Sequence, residues 1–380
     1  MGAWQDFESN LQTRFLERRN VIHGLLVALV ARQHVLLIGP PGAAKSELAK
    51  AVCGAVGGRF FRTTLTPTST PDELLGPISA KRLIEDDVIA RNLEGTLATA
   101  DIAAIDEIWK CNAATLNSLL NAVNEREVGN AGAVVKIPLR TLVGTSNELP
   151  QEESLTALWD RFSLRFRVDY LKDPANFLAL LDMAEVGTIQ GPSLAEIDSA
   201  HSLVGGIAWD GMRETFLKLW STARQTWKVP VSDRRWKWCL RLCQAHALLA
   251  GRAAVHPSDL LVLADALWEE PGQQSVIRQG LLDLIDPVLR EAEEKCDAAE
   301  EQWQKALTAE TETAEPKDVI AVISEAAGKI KKSATRIEEL RDIARGKGLD
   351  TTDLEATLAR VQGMSQDIHR KLVTRYTGGA

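Results

Sequence analysis

Apolar positions along the chain fall into three successive regimes. Over residues 1–188, short apolar runs alternate with helix-length segments, and strand candidates lie at 35–38, 59–63, 102–105, 139–145 and 164–168. Continuous rather than alternating apolar runs, spaced by helices, predict a mostly parallel sheet covered by helices on both faces. Two stretches break the rhythm. Segments 78–83 and 88–93 alternate around Ile84-Glu-Asp-Asp87, which reads as a β-hairpin with an acidic tip; 125–128 and 133–137 read as a second hairpin around Gly129-Asn-Ala-Gly132. Insertions are therefore expected at about 77–94 and 125–138.

Residues 189–275 turn helical, with candidates at 194–204, 210–227, 232–250 and 256–268 separated by Gly and Pro. Ser232-Asp233 and Pro257-Ser-Asp259 are helix-start signals, so this region predicts an all-α lid. Residues 276–380 are rich in Glu, Lys, Arg, Ala and Gln. Leu281, Ile285, Val288, Ala292, Cys296, Ala299, Trp303 and Ala306 recur every three or four residues, as do Val319, Ile323, Ala326, Ile330, Ala334 and Ile337, and then Leu354, Leu358, Val361, Ile368 and Leu372. Polar breaks at 311–316 and 346–348 divide these seams into an antiparallel three-helix arm.

A chain of 380 residues can bury two or three cores. Its formal net charge of -8 disfavours a broad nucleic-acid-binding face. Five cysteines without a secretory signature indicate a reducing compartment rather than a disulfide framework. Cys239 and Cys243 lie one turn apart with no metal-spaced His or Cys pair beside them, so they read as apolar packing, and no metal is assigned to protein ligands alone. The apolar run 21–30 is too short for membrane insertion, and the N-terminus has no basic leader; the expected location is the cytoplasm.

Candidate chemistry begins at Gly39-Pro-Pro-Gly-Ala-Ala-Lys-Ser46, between an apolar run and a helix start. That order makes a phosphate cradle from Gly39, Pro40, Pro41, Gly42, Ala43, Ala44, Lys45, Ser46 and Glu47. In such a loop, backbone N–H groups converge on phosphate oxygens, Lys45 reaches the β and γ phosphates of ATP, and the Ser46 hydroxyl ligates Mg²⁺. Ala44 stands where the general pattern has its last glycine. Asp106 and Glu107 end the next apolar strand, where Asp106 would complete the Mg²⁺ shell and Glu107 would polarise the attacking water. Asn147 follows another strand and could hydrogen-bond that water or the γ-phosphate. Arg161 closes a short helix, poorly placed for its own nucleotide and able to reach a neighbour's; Arg165 and Arg167 compete for that role. Of Arg234 and Arg235, one could fold over the γ-phosphate in cis.

Six segments together resemble the MoxR family of AAA+ ATPases, closest to its RavA-like branch: Gly39–Ser46, Ile105-Asp-Glu-Ile-Trp-Lys110, 116–126, Thr145-Ser-Asn-Glu-Leu-Pro150, Leu158-Trp-Asp-Arg-Phe162 and Val231-Ser-Asp-Arg-Arg235. The resemblance covers about residues 10–275 and implies an α/β P-loop AAA+ core, a helical lid and nucleotide-dependent homo-hexameric rings, closed or spiral. It also implies chaperone-like remodelling of a protein client alongside a von Willebrand factor A domain partner. Carried over by position, Lys45 and Ser46 are the Walker A pair, Asp106 and Glu107 the Walker B pair, Asn147 sensor 1, Arg161 the arginine finger and Arg234 sensor 2. Ala44 conforms to this family's form of the loop, and the two hairpins match inserts that line or face the ring pore. RavA-like proteins interpose a β-rich domain within their arm; this chain has only polar breaks there. Two rival readings are a nucleotide-gated scaffold with a slow ATPase timer, and a DNA motor or chelatase-type subunit of the same clade, the latter disfavoured by the acidic tip.

Overall fold

The computed structural model describes residues 2–183, 189–312, 316–346 and 351–376. The chain divides into two units, Met1–Ile277 and Arg278–Ala380. In the first, strands β1 (His34–Ile38), β2 (Phe60–Thr64), β3 (Ile102–Asp106), β6 (Thr141–Ser146) and β7 (Phe162–Arg167) form one sheet in the order β2-β3-β6-β1-β7, every pairing parallel. The intervening β4 (Glu127–Asn130) and β5 (Ala133–Lys136) form a separate antiparallel ribbon. Strands β1, β3 and β6 are buried along their whole length, which is why they read as unbroken apolar runs. The helix Arg19–Ala31 lies directly on β7: a Cβ added at Gly24 would come 2.1 Å from the Phe166 ring.

The second hairpin forms as expected, turning at Ala131-Gly132, both at positive φ as a two-residue turn requires. The first does not. Residues 78–93 share a single antiparallel bridge, Ile78 to Arg91, and between them stands the helix Ala80–Asp86. Ser79 caps that helix on the Arg82 N–H, and the pairs Lys81–Glu85 and Arg82–Asp86 span one turn at 3.9 and 3.3 Å, local terms that outweigh the period-two pattern. The acidic tip is thus partly neutralised by its own helix.

The lid helices Leu194–Val204, Arg213–Gln225 and Asp233–Leu249 follow the expected spans closely. The fourth differs: Pro257–Leu263 is a 3₁₀ helix, followed by one α turn at Ala264–Leu267. Its fully buried Asp259 accepts hydrogen bonds from the His256 N–H at 2.7 Å and from Arg252 Nη2 at 2.5 Å, and lies 2.5 Å from His246 Nδ1, drawing the segment into a tight turn. Lid and sheet meet at Asp198, whose carboxylate pairs with Arg32 at 2.6 Å and Arg140 at 2.7 Å.

In the second unit, helices Pro287–Glu312, Pro316–Gly346 and Thr352–Tyr376 pack mutually, burying the three predicted seams around Ala292, Ala299, Ile323, Ile330, Val361 and Ile368. The pairs Arg336–Glu291, Arg345–Glu355 and Gln362–Glu338 join late positions to early ones, which makes consecutive helices antiparallel. The first seam is not one helix from Leu281 onward. Gln273–Ile285 ends, and Asp286 starts the next helix by accepting the Leu289 N–H at 2.9 Å, with Pro287 at its first position. Among the described residues no helix is long and apolar enough to cross a membrane.

Hydrogen bonds from Arg140 and Arg32 hold the Asp198 carboxyl down at about 2, against the opposing effect of burial. A depressed folded-state value stabilises the fold above the ordinary range and is lost on acidification. Asp198→Asn is therefore expected to destabilise the protein in urea by about 1 kcal/mol at pH 6, the partial exposure of the pair limiting the effect. The difference from the parent should vanish between pH 4 and pH 2.

Candidate active site

The carboxyl ends of the five strands gather on one edge, and the connections leaving β1, β3 and β6 supply the candidate chemistry. Gly39 follows Ile38 where no side chain fits, since a Cβ there would sit 1.9 Å from the Val168 carbonyl oxygen of the adjacent strand end. The loop rises through Gly42 at φ +80° and reaches Ala44 at φ 61°, ψ 20°, the left-handed region, before the helix Lys45–Ala55 begins. The general pattern places glycine at this position because L-residues are strained there; Ala44 is the smallest side chain that bears the conformation.

Lys45 is buried, and its ammonium donates to the carbonyls of Gly39 and Pro40, both at 2.7 Å, and to Asn147 Oδ1 at 2.9 Å. Burial lowers its pKa, while Glu107 and Asp106 oppose that shift. Asp106, the last residue of β3, accepts from the Thr145 hydroxyl at 2.7 Å and from Arg62 at 3.2 Å. Glu107 is again left-handed, at φ 53°, ψ 47°, a turn that returns its carboxylate to the sheet edge. There Asn147 Nδ2 donates to Glu107 Oε1 at 2.7 Å, and the Lys110 ammonium lies 3.2 Å from Glu107 Oε2. Asn147 thereby links Lys45 to Glu107 through the two ends of one amide. The donor set suits Mg²⁺–nucleotide: the open first turn of a helix, an ammonium, the half-buried Ser46 hydroxyl and an oriented Asp106 carboxylate.

The candidate arginines other than Arg167 lie elsewhere. Because β1 and β7 run parallel with His34 opposite Phe162 and Ile38 opposite Arg167, Arg161 sits at the amino end of the sheet, remote from the phosphate loop of its own chain. Its Nε is buried without an acceptor, and burial together with Arg234 depresses its pKa. Arg165 is fully buried and spoken for: it donates to the Phe162 and Trp268 carbonyls, pairs with Glu269 at 3.3 Å and stacks 4.2 Å from the Trp159 ring, with its pKa lowered to about 9 by burial first. Arg167 is exposed at the carboxyl end, level with Ile38.

Arg234 does not fold over the phosphate loop of its own chain, contrary to the expectation in cis. It donates to Asp160 at 2.5 Å, beside Arg161, because the buried Arg235 anchors the start of the lid helix to Glu269 and the Ala266 carbonyl. The lid docks at the amino end of β7, so both arginines share one edge.

A family model, the MoxR domain of MoxR–vWA–β-propeller ternary systems, matches residues 3–189, and an AAA lid domain model matches 214–281. An uncharacterized protein of Methanocaldococcus jannaschii is 32% identical over 272 residues, covering 71% of this chain and 72% of that one. The chain belongs to the MoxR family of AAA+ ATPases. The chaperone MoxR1 of Mycobacterium tuberculosis is 29% identical over 154 residues, 40% of each chain. The crystal structure of a protein from Cytophaga hutchinsonii shares the fold with a TM-score of 0.60 at 18% identity, covering 74% of this chain and 94% of that one.

In this MoxR protein three supporting residues escaped the sequence reading. Arg62 and Thr145 orient Asp106, and Lys110 pairs with Glu107. Lys110 was readable as the third residue after an acid; Arg62 and Thr145 needed the strand order. The left-handed Ala44 yields a direct test by thermal unfolding and nucleotide titration. Ala44→Gly should keep both stability and affinity, whereas Ala44→Val should lower stability by about 1–2 kcal/mol and weaken nucleotide binding.

Proposed function

We propose that this chain is an Mg-ATP-dependent ring ATPase that remodels a protein client, in a ternary system with a von Willebrand factor A domain protein and a β-propeller protein. The single observation that carries the reading is the division of the catalytic groups between opposite edges of the sheet. Lys45, Ser46, Asp106, Glu107 and Asn147 stand at one edge, and Arg161 with Arg234 at the other. One copy thus holds half of two sites, and hydrolysis falls between copies. The family model's description supports the partners, and the similarity to a chaperone supports the remodelling role. The finer RavA-like kinship rests on the motif resemblance alone.

In this mechanism Lys45 releases its carbonyl partners to contact the β and γ phosphates, and the amides of the loop hold the phosphate chain. Ser46 and Asp106 would hold Mg²⁺, which when bound supplies neutralising charge to the phosphates. Glu107, oriented by Asn147, accepts the proton of the attacking water. The neighbour's Arg161, joined by Arg234, meets the charge that develops on the γ-phosphoryl group. Loss of that phosphate frees the arginines and lets lid and core move against each other.

Glu107→Gln should retain ATP binding and lose turnover by about 100-fold or more. Arg161→Ala should lose turnover comparably. Mixing the two inactive variants decides the arrangement, because an intact Glu107 in one copy then faces an intact Arg161 in the next. Recovered ATPase activity is expected, rising with protein concentration; a mixture as inactive as its components would overturn the trans assignment. A nucleotide-gated scaffold would instead show turnover per chain independent of concentration.

A further inference from the structure

A cavity of about 900 Å³ opens within the first unit at the amino end of the sheet, between the β1 and β7 ends and the lid helices Leu194–Val204 and Asp233–Leu249. Five basic side chains line it: Arg32, Arg126 and Arg161 from the core, Lys237 and Arg241 from the lid. Against them stands one lining carboxylate, Glu125. Nothing in the ATPase reading uses Arg126, Lys237 or Arg241.

The positive charge is largely uncompensated. Among the described residues only Arg32 of the five has a carboxylate partner, Asp198 at 2.6 Å. Arg126 donates to carbonyls, those of Arg32 at 2.8 Å and Arg140 at 3.4 Å, and Arg241 reaches the Gln244 amide oxygen at 3.4 Å. The Nε atoms of Arg32 and Arg161 are buried with no acceptor. Burial, and then the Arg32 charge, lower the Arg126 pKa, a sign of like charges crowded where water is scarce. Burial lowers the pKa of both lining histidines, His34 to about 3, where its Nδ1 accepts the Leu142 N–H, and His201 against the opposing hydrogen bond that its Nδ1 donates to the Val30 carbonyl at 2.9 Å.

Concave walls lined by one sign of charge focus the field and concentrate counter-ions. Guanidinium forks match phosphate oxygens in pairs, and several cations spread around one cavity suit an anion whose charges are strung along a chain. We propose that this cavity binds a linear oligophosphate, free or as the tail of a nucleotide, within one copy of the chain and independently of the Lys45 loop. Bound there, the anion would join core arginines to lid cations and fix the lid. The proposal does not rest on hydrolysis, and its test reads binding rather than turnover.

Titration calorimetry on the Lys45→Ala variant of the 380-residue chain, at a concentration where sedimentation shows single copies, measures the site without the Lys45 loop. One tripolyphosphate per chain is expected, and a parallel titration with ATP distinguishes the sources: equal affinity points to the phosphate chain alone, and tenfold tighter ATP to a nucleotide. Lys237→Gln combined with Arg241→Gln, both exposed on the lid, should weaken either ligand at least tenfold, while Lys218→Gln outside the cavity should not. Should Lys45→Ala misfold by circular dichroism, Lys45→Gln takes its place, and one tripolyphosphate per chain should still bind. If the double glutamine variant misfolds, Lys237→Met alone is expected to weaken binding. No binding, binding undiminished by these lid substitutions, or binding that appears only on assembly overturns the proposal.

Discussion

The parallel register that sets β1 between β6 and β7 is the constraint on which the rest of the molecule depends. With Ile38 level with Ser146 and Arg167, and His34 level with Phe162, every connection that leaves a strand does so at one edge and every entry lies at the other. Five residues at about 3.3 Å each separate the two edges by roughly 16 Å, farther than an arginine side chain can span. Lys45, Asp106 and Asn147 therefore meet without Arg161. The guanidinium that does reach this edge is that of Arg62, 3.2 Å from Asp106.

At the amino edge a buried polar network ties the lid to the core. Glu269 collects the Trp159 indole N–H, Arg235 and the fully buried Arg165, while the Trp268 indole donates back to the Arg165 carbonyl at 3.0 Å. Arg235 and Arg165 together hold the Glu269 carboxyl below its usual range even though burial pulls the other way. A network of this kind is costly to break by halves, because each removed partner leaves a buried charge behind. Asp160 sits at its rim, gripping Arg234 and flanked in sequence by Trp159 and Arg161. The start of the lid helix Asp233–Leu249 is thereby tied, through Arg234 and Asp160, to the segment that carries Arg161.

The fold and the nucleotide edge were legible because their signals are local. The buried strands are apolar runs; the Lys45 loop, the acid pair at the end of β3 and Asn147 each lie within a few residues of a strand end; and the Asp233–Leu249 helix starts on the Ser232 cap that the sequence displays. What failed was decided by competition or by distance. In residues 78–93 a serine cap and two one-turn ion pairs beat an alternating pattern that suited either structure. The place of Arg234 could not be read at all, since it follows from how Arg235 and Glu269, 34 residues apart, dock the lid. The cationic cavity was invisible for the same reason: Arg32, Arg126, Arg161 and Arg241 are scattered in sequence and meet only in space.

Two non-glycine residues in the left-handed region, Ala44 and Glu107, flank Lys45 and Asp106, and each costs about 1–2 kcal/mol in conformational strain. They are not equally secured. Glu107 is held from outside by Asn147 and Lys110, and its strained turn aims the carboxylate along the sheet edge. Ala44 has no side-chain partner; its geometry is fixed by Gly39 wedged against Val168 on one side and by the helix that begins at Lys45 on the other. The Lys45 loop is thus shaped by the backbone of the sheet itself, while the Glu107 carboxylate is placed by polar side chains. The two are joined by one amide, since Asn147 accepts from Lys45 at one end and donates to Glu107 at the other, so displacement of the Lys45 ammonium frees one end of the group that orients Glu107.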